Sequence, residues 1–234
     1  MPRRPLIVAH RGLHAALPEN SRAAMSAAWA GGVQWAECDV RQGLDGLFLL
    51  HDETLDRTTD GAGPIDAATD DALDRARLRD GAGRLTDHAL PRLRDVVAGM
   101  PPGGRLLVEV KSVRDFAQLV SDLSGGAVWV QSFDADDLRR THRADPRLPL
   151  AFLAETRQQL ALALELPYAA VHLEHVMLDE AVCRQLRALG KSIGVWTVNA
   201  EADVRRTVKL GVEVVITDEP AMVRRVVDEL CGPG

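Results

Sequence analysis

Cysteine is too sparse and scattered in this sequence to build a framework: Cys38, Cys183 and Cys231 fall in unrelated segments with no CxxC spacing. A disulfide scaffold and a zinc knuckle are thereby disfavoured, and a reducing compartment fits best. No apolar run is long enough to span a membrane. The run behind the basic start Met1-Pro2-Arg3-Arg4-Pro5, Leu6 to Ala9, is far too short for a signal peptide, so a cytoplasmic protein is the expectation. A basic tract is missing as well. The net charge is -6, and lysine occurs only at Lys111, Lys191 and Lys209, scattered among acids, which argues against a nucleic-acid footprint. Arginine supplies nearly all the positive charge, and coding bias suffices to explain it. Against that background Lys111, directly beyond Glu109, stands out, because arginine and lysine are not equivalent at a tight site.

What is present is an ordinary globular composition, 46% hydrophobic and 26% charged over 234 residues, enough to bury a sizeable core. Short β-rich runs alternate with amphipathic stretches of helical length. Leu6 to Ala9 reads as a strand, Ser21 to Ala30 as a helix ended by Gly31-Gly32, and Val33 to Val40 as a second strand. Leu47 to Leu50 reads as a hairpin-like return after Leu44-Asp45-Gly46. A polar stretch from Asp52 to about Leu90 is too long for an ordinary connection, and some helix is expected near Ala72 to Leu78. Then come a helix from Pro91 and strands over 105–110, 127–130, 150–153, 169–173, 192–197 and 214–217. Helices over 113–123, 135–142, 157–164, 179–189, 202–210 and 220–230 separate and close them.

Without the hairpin return the strands number eight, which predicts an α/β fold of the (β/α)₈ TIM-barrel kind. The expectation is one domain over residues 1–234 with a polar insertion at about 53–90. A doubly wound open sheet is the alternative, but the first β-to-α turn, His10-Arg11-Gly12-Leu13-His14, has no GxGxxG run for a dinucleotide.

The most informative feature is a pair of carboxylates, Glu37 and Asp39, at the end of an apolar run and flanked by His10 and His51 at the ends of neighbouring runs. Strand periodicity of two puts Glu37 and Asp39 on one face, where two like charges need a cation or a proton. Barrel strand ends converge on one face, and His10, Glu37, Asp39, His51, Glu109, Lys111, Gln131, Ser132, Phe133, His172, Glu174, Trp196 and Asn199 all fall there. Glu37, Asp39 and Glu109 form a hard-oxygen set suited to one divalent cation, Mg²⁺ or Ca²⁺. Imidazoles titrate near neutrality and so suit His10 and His51 to proton transfer. Arg11 and Lys111 complete a clamp that favours a phosphate.

Blander readings exist for each part. Glu109-Val110-Lys111 could be a same-face ion pair, and Phe133 and Trp196 could be barrel-mouth packing. On a strand, His172 and His175 would point to opposite faces, which suits a structural or rim role better than chelation. The absence of HxH weakens a zinc amidohydrolase-type barrel.

The runs His10-Arg11-Gly12, Pro18-Glu19-Asn20-Ser21, Glu37-Cys38-Asp39-Val40, Asp45-Gly46, His51-Asp52, Leu55-Asp56-Arg57-Thr58-Thr59, Glu109-Val110-Lys111, Ser132-Phe133, Trp196-Thr197-Val198-Asn199 and Thr217-Asp218 resemble the glycerophosphodiester phosphodiesterases. The resemblance extends from His10 to about Pro220. It implies a TIM barrel that hydrolyses small-molecule glycerophosphodiesters to an alcohol and sn-glycerol 3-phosphate with a divalent metal and two histidines. Carried over by position, His10 and His51 would be the acid/base pair, Glu37, Asp39 and Glu109 the metal ligands, and Arg11 and Lys111 the phosphoryl ligands. Phe133 and Trp196 would lie against the glycerol or the leaving alcohol. Ser21 stands where the family often has threonine, and the stretch after Thr59 is shorter, more acidic and richer in arginine, which bears on the leaving-group pocket. Two other functions stay open: lysophospholipase D or sphingomyelinase D-like action on lipid diesters, and a non-catalytic phosphodiester-binding barrel.

Overall fold

The computed structural model describes residues 3–232, so Met1 and Pro2 of the basic start lie outside the described residues. Eight parallel strands close into a barrel: β1 (Leu6–Ala9), β2 (Trp35–Gln42), β6 (Arg105–Ser112), β7 (Val128–Ser132), β8 (Leu150–Ala154), β9 (Ala170–Glu174), β10 (Ser192–Trp196) and β11 (Val214–Thr217). Closure comes from β1, which pairs with β11 on one side and with β2 on the other. The outer helices are α1 (Arg22–Ala30), α3 (Leu93–Ala98), α4 (Phe116–Leu123), α5 (Ala135–Ala144), α6 (Arg157–Glu165), α7 (Glu180–Ala188), α8 (Glu201–Lys209) and α9 (Pro220–Cys231). The fold is a TIM barrel, as the alternation predicts. No helix among the described residues is long and apolar enough to cross a membrane.

Period-two alternation decides what each strand residue does. Outward residues such as Ala36, Cys38 and Val40 of β2, Val108 and Val110 of β6, and Val171 and Leu173 of β9 are buried under the helices in the main core. Inward residues near the strand starts, Val8, Trp35, Leu107, Val214 and Ile216, form a separate apolar plug with Trp129 and Trp196. The Trp35 and Trp129 rings meet edge to face at 5.1 Å. Two residues further along β2 and β6, the inward positions become Glu37 and Glu109. The barrel interior therefore changes from apolar to ionisable in one step toward its C-terminal face.

The hairpin return is present as β3 (Leu47–Leu49), antiparallel to β2 with Val40 opposite Leu49. It brings the chain back along the rim, so that Leu50 N–H donates to Asp39 C=O at 3.1 Å and His51 follows. The excursion that follows contains a 3₁₀ turn at Ile65–Ala67, helix α2 (Asp70–Arg75) and the hairpin β4 (Arg77–Arg79) and β5 (Leu85–Ala89). Its helix ends three residues before the expected Leu78, because the chain from Arg77 turns to pair with β5. Polar as it reads, the segment also buries a small core of its own, in which Leu55, Ile65, Leu73 and Leu78 pack on Phe48 and Leu50.

Other boundaries shift for local reasons. Helix α3 starts at Leu93 rather than Pro91, because Pro91 C=O accepts from Leu49 N–H at 3.0 Å and Arg92 bridges to Phe48. Helix α4 starts at Phe116 rather than Val113, because the N–H groups of Arg114 and Asp115 both donate to Gln42 Oε1, at 2.7 and 3.0 Å, and Asp115 caps the helix. Ser21 caps α1 by accepting from Ala24 N–H at 3.0 Å, the same service a threonine would give.

Candidate active site

The turn after β1 sets the site. Arg11 lies at φ 53° and Gly12 at φ 80°, so the chain reverses within two residues and folds Arg11 back over the barrel mouth. Only glycine fits at position 12, since a Cβ there would lie 2.6 Å from the backbone carbon of Ala24. Arg11 N–H donates to Glu37 Oε2 at 2.9 Å, its Nε lies 3.2 Å from Asp39 Oδ2, and its Nη1 donates to Glu19 Oε1 at 2.9 Å. Asn20, also at positive φ, clasps Asp39 reciprocally: its Nδ2 donates to Oδ2 at 2.8 Å and its Oδ1 accepts the Asp39 N–H at 3.0 Å. From β6, Lys111 Nζ reaches Glu109 Oε1 at 2.5 Å and Asp39 Oδ1 at 3.5 Å.

Each of the two rim histidines is held on one nitrogen. His10 Nδ1 is 2.8 Å from Asp218 Oδ1, and His51 Nδ1 is 2.8 Å from Asp52 Oδ1. In both rings Nε2 is left for a ligand. Asp218 is itself fixed by Asn199, whose Nδ2 donates to Oδ2 at 2.6 Å, and it also meets His14 Nε2 at 3.0 Å. Asp52 is fixed by Arg57, whose Nη2 also donates to Glu19 Oε1 at 2.8 Å. One chain of ion pairs thus links Arg11, Glu19, Arg57, Asp52 and His51 across the mouth.

Electrostatics separates the three acids. Burial, then Asp39 and Glu109, pushes the Glu37 carboxyl well above the usual range. Burial and Asp39 push Glu109 up to about 7. Burial also works against ionised Asp39, but Arg11 and Lys111 outweigh it and hold that carboxyl below its ordinary value. Burial lowers His51 against the opposing pull of Asp39 and Asp52. Burial likewise favours a proton on Asp218, but the bonds from His10 and His14 dominate and keep it ionised well below the usual carboxylate range.

Glu37, Asp39 and Glu109 bring ligand oxygens to within 4.8 Å of one another. Glu37 Oε1 and Asp39 Oδ1 are buried without a hydrogen bond, a costly state that a hard cation at this point would relieve. An all-oxygen donor set fits Mg²⁺ or Ca²⁺ and is poor for soft metals. Glu37, Glu109, Arg11, Lys111, His10, His51, Phe133 and Trp196 all line one cavity of about 170 Å³. Asp39 lies just outside its lining, behind Arg11. Phe133 and Trp196 meet edge to face at 5.5 Å and form its apolar wall. Size does not single this cavity out: a wider depression of about 380 Å³ beneath Trp29 and Pro101, at the strand-start end, is lined without a titratable side chain.

Of the residues the sequence nominated, His10, Arg11, Glu37, His51, Glu109, Lys111, Gln131, Phe133 and Trp196 line this cavity, whereas Ser132, His172, Glu174 and Asn199 do not. His172 is in the barrel interior, fully buried, whereas His175 has left the strand and begins a 3₁₀ turn beside Arg206, so the two share no face at all. The fixing groups Asp218, Asp52, Glu19 and Arg57 were visible in the sequence only as parts of short motifs. Asp218 had a detectable signal, since it ends the last strand as His10 ends the first.

A sequence model described as the glycerophosphoryl diester phosphodiesterase family matches residues 10–222. The glycerophosphodiester phosphodiesterase of Bacillus subtilis (strain 168) is 29% identical over 259 residues, covering 96% of this chain and 87% of that protein. A protein of the same name from Caldanaerobacter subterraneus subsp. tengcongensis is 27% identical, over 92% of this chain and 94% of its own. Among solved structures, an Oleispira antarctica phosphodiesterase in complex with the product sn-glycerol-3-phosphate superposes with a TM-score of 0.86 at 22% identity, covering 96% of this chain and 97% of that one. The Thermotoga maritima glycerophosphodiester phosphodiesterase gives 0.78 at 22% identity, over 97% and 100%. At that identity the structures speak for the fold, and the match over most of the sequence speaks for the family. The chain belongs to the glycerophosphoryl diester phosphodiesterase family, whose members are phosphoric diester hydrolases.

Proposed function

We propose that this chain hydrolyses glycerophosphodiesters to an alcohol and sn-glycerol 3-phosphate in the cavity between His10 and His51, with a divalent cation bound by Glu37, Asp39 and Glu109. The observation that carries the reading is the pair of imidazoles, each anchored through Nδ1 to its own carboxylate, beside a buried three-carboxylate cluster. When bound, the cation supplies positive charge to the phosphoryl oxygens. Arg11 and Lys111, held charged by the acids beside them, bind the same group and stabilise charge that grows on it in the transition state. One histidine takes the proton of the attacking water, or of the glycerol 2-hydroxyl with water then opening the cyclic phosphate, and the other gives a proton to the departing alkoxide, while Asp218 and Asp52 stabilise the imidazolium that each forms in turn. Phe133 and Trp196 offer an apolar wall to the glycerol carbons or the alcohol.

A cavity of about 170 Å³ suits a glycerophosphoryl group. The product held by the Oleispira antarctica protein is of the same kind. The test incubates the protein with a panel of glycerophosphodiesters in Mg²⁺, Ca²⁺ or chelator and reads glycerol 3-phosphate release. Release that survives chelation removes the cation from the proposal. No release from any diester under any metal leaves a non-catalytic barrel as the better reading.

A further inference from the structure

His172 occupies the middle of β9, faces the barrel interior and is 0% exposed. Its ring fits only because residue 194, its register partner on β10, is glycine: a Cβ there would lie 2.3 Å from His172 Cδ2. Such a large polar side chain in the barrel centre has one recorded polar contact, Nδ1 to Gln131 Oε1 at 2.7 Å, and its Nε2 is buried without a partner. Burial lowers the ring to about 4, so it is neutral at physiological pH and carries one N–H. A proton on Nε2 would leave a buried donor without an acceptor, which is rarer in folded proteins than an orphan acceptor. The proton therefore belongs on Nδ1, which donates to Gln131 Oε1.

That bond fixes the Gln131 amide. With its oxygen turned to His172, its nitrogen faces away, toward the cavity that Gln131 lines with Glu37, Glu109 and Lys111. No hydrogen bond joins the amide nitrogen to any of these side chains among the described residues, although Gln131 is opposite Glu109 in register. The same His172 also accepts, through its C=O, the Trp196 indole N–H at 3.1 Å, so one buried residue holds both the polar donor and the aromatic wall.

We propose that Gln131 is a substrate-binding residue, whose amide N–H donates to a hydroxyl oxygen of the glycerol moiety, and that His172 is the positioning residue that aims it. The assignment rests on the glycerophosphodiester reading of the cavity. Arg11 and Lys111 already serve the charged phosphoryl group, whereas a neutral amide is matched to a neutral oxygen. Gln131 also lines the same cavity as Phe133, which follows the end of β7 two residues on and belongs to the wall against which glycerol carbons pack.

The experiment measures, by titration calorimetry on the full chain in saturating Mg²⁺, the affinities of sn-glycerol 3-phosphate and of propyl phosphate, which has the same chain length without the hydroxyls. Gln131→Met keeps the volume and loses the donor, and it should weaken glycerol 3-phosphate about tenfold while leaving propyl phosphate unchanged. His172→Leu should give the same selective loss. His172→Asn, whose amide can donate where Nδ1–H did, should restore it. The Gln131→Met arm stands alone if a His172 variant does not fold.

A Gln131→Met protein that weakens both phosphates equally, weakens neither, or weakens Mg²⁺ binding overturns the proposal. The last result would mean that the amide oxygen, not the nitrogen, faces the cavity. Wild-type protein that binds neither phosphate and cleaves no diester defeats the functional reading itself. Wild-type preference for glycerol 3-phosphate that persists in Gln131→Met defeats only the role given to Gln131.

Discussion

His10 and His51 differ from the other histidines in combining a carboxylate anchor with a place in the cavity lining. Each has one nitrogen committed to a carboxylate and the other facing the cavity, the arrangement proton transfer needs. His10→Ala and His51→Ala should each lower kcat by about 10³-fold or more while far-ultraviolet circular dichroism is unchanged. Activity retained in either would remove it from the pair. Asp52→Asn should cost less, roughly 10²-fold. Its signature is in the pH–rate profile: the bond from Asp52 raises the His51 pKa, so its loss should move the limb that reports His51 to lower pH. An unmoved limb would mean that Asp52 only packs.

Among the elements, the turn between β1 and α1 bears the most constraint. It holds Arg11 and Asn20 at positive φ, and through them it grips both Glu37 and Asp39. Gly12→Ala would force a Cβ into the backbone of α1 at a left-handed position, and should destabilise the fold by about 2 kcal/mol or more, read as a lowered midpoint in urea. A midpoint within error of wild type would show that the turn can relax.

The excursion after β3 is tied to this turn by Arg57, which bridges Glu19 and Asp52. Arg57→Ala should reduce kcat/KM about tenfold through the loosened His51 anchor, with a smaller effect on thermal stability because the pair is half-exposed. The excursion's own apolar core was hard to read beforehand. Leu55, Ile65, Leu73 and Leu78 are spaced among charged residues with neither strand nor helix period, and only their packing on Phe48 and Leu50 brings them together.

For the molecule as a whole, the proposed cation site would link metal binding to pH. Glu37 and Glu109 are raised by burial, Glu109 to about 7, so between the ordinary glutamate value and that point these two side chains bind more protons in the folded chain than in the unfolded one. The stabilisation that these two acids give the metal-free protein should therefore fall as pH rises through this window, while buried His172, lowered to about 4, acts in the opposite direction. A divalent cation must displace the same protons, so its affinity and the stabilisation it gives should grow over the same range. Thermal unfolding with chelator and with Mg²⁺ at about pH 5.5 and pH 8 checks the growth of the cation's stabilisation, read as the difference between the two arms. Equal Mg²⁺-induced shifts at the two pH values would contradict the assignment of these acids to the cation.

The sequence by itself determined the barrel and which candidate residues stand at the ends of its strands. Alternation of apolar runs with amphipathic stretches is a local property, and a parallel barrel must bring all strand ends to one face, so His10, Glu37, Asp39, His51, Glu109 and Lys111 could be grouped before any coordinate was known. Tertiary structure alone decided the state of those groups. Whether a carboxyl is raised, as in Glu37, or lowered, as in Asp39 two residues away, depends on which cations reach it from other strands and loops, here Arg11 and Lys111. The same holds for the anchoring of His10 by Asp218, 208 residues distant, and for the His172–Gln131 pair formed across the barrel interior. Charge and orientation are set by neighbours in space within a low-dielectric interior, and spacing along the chain does not encode them.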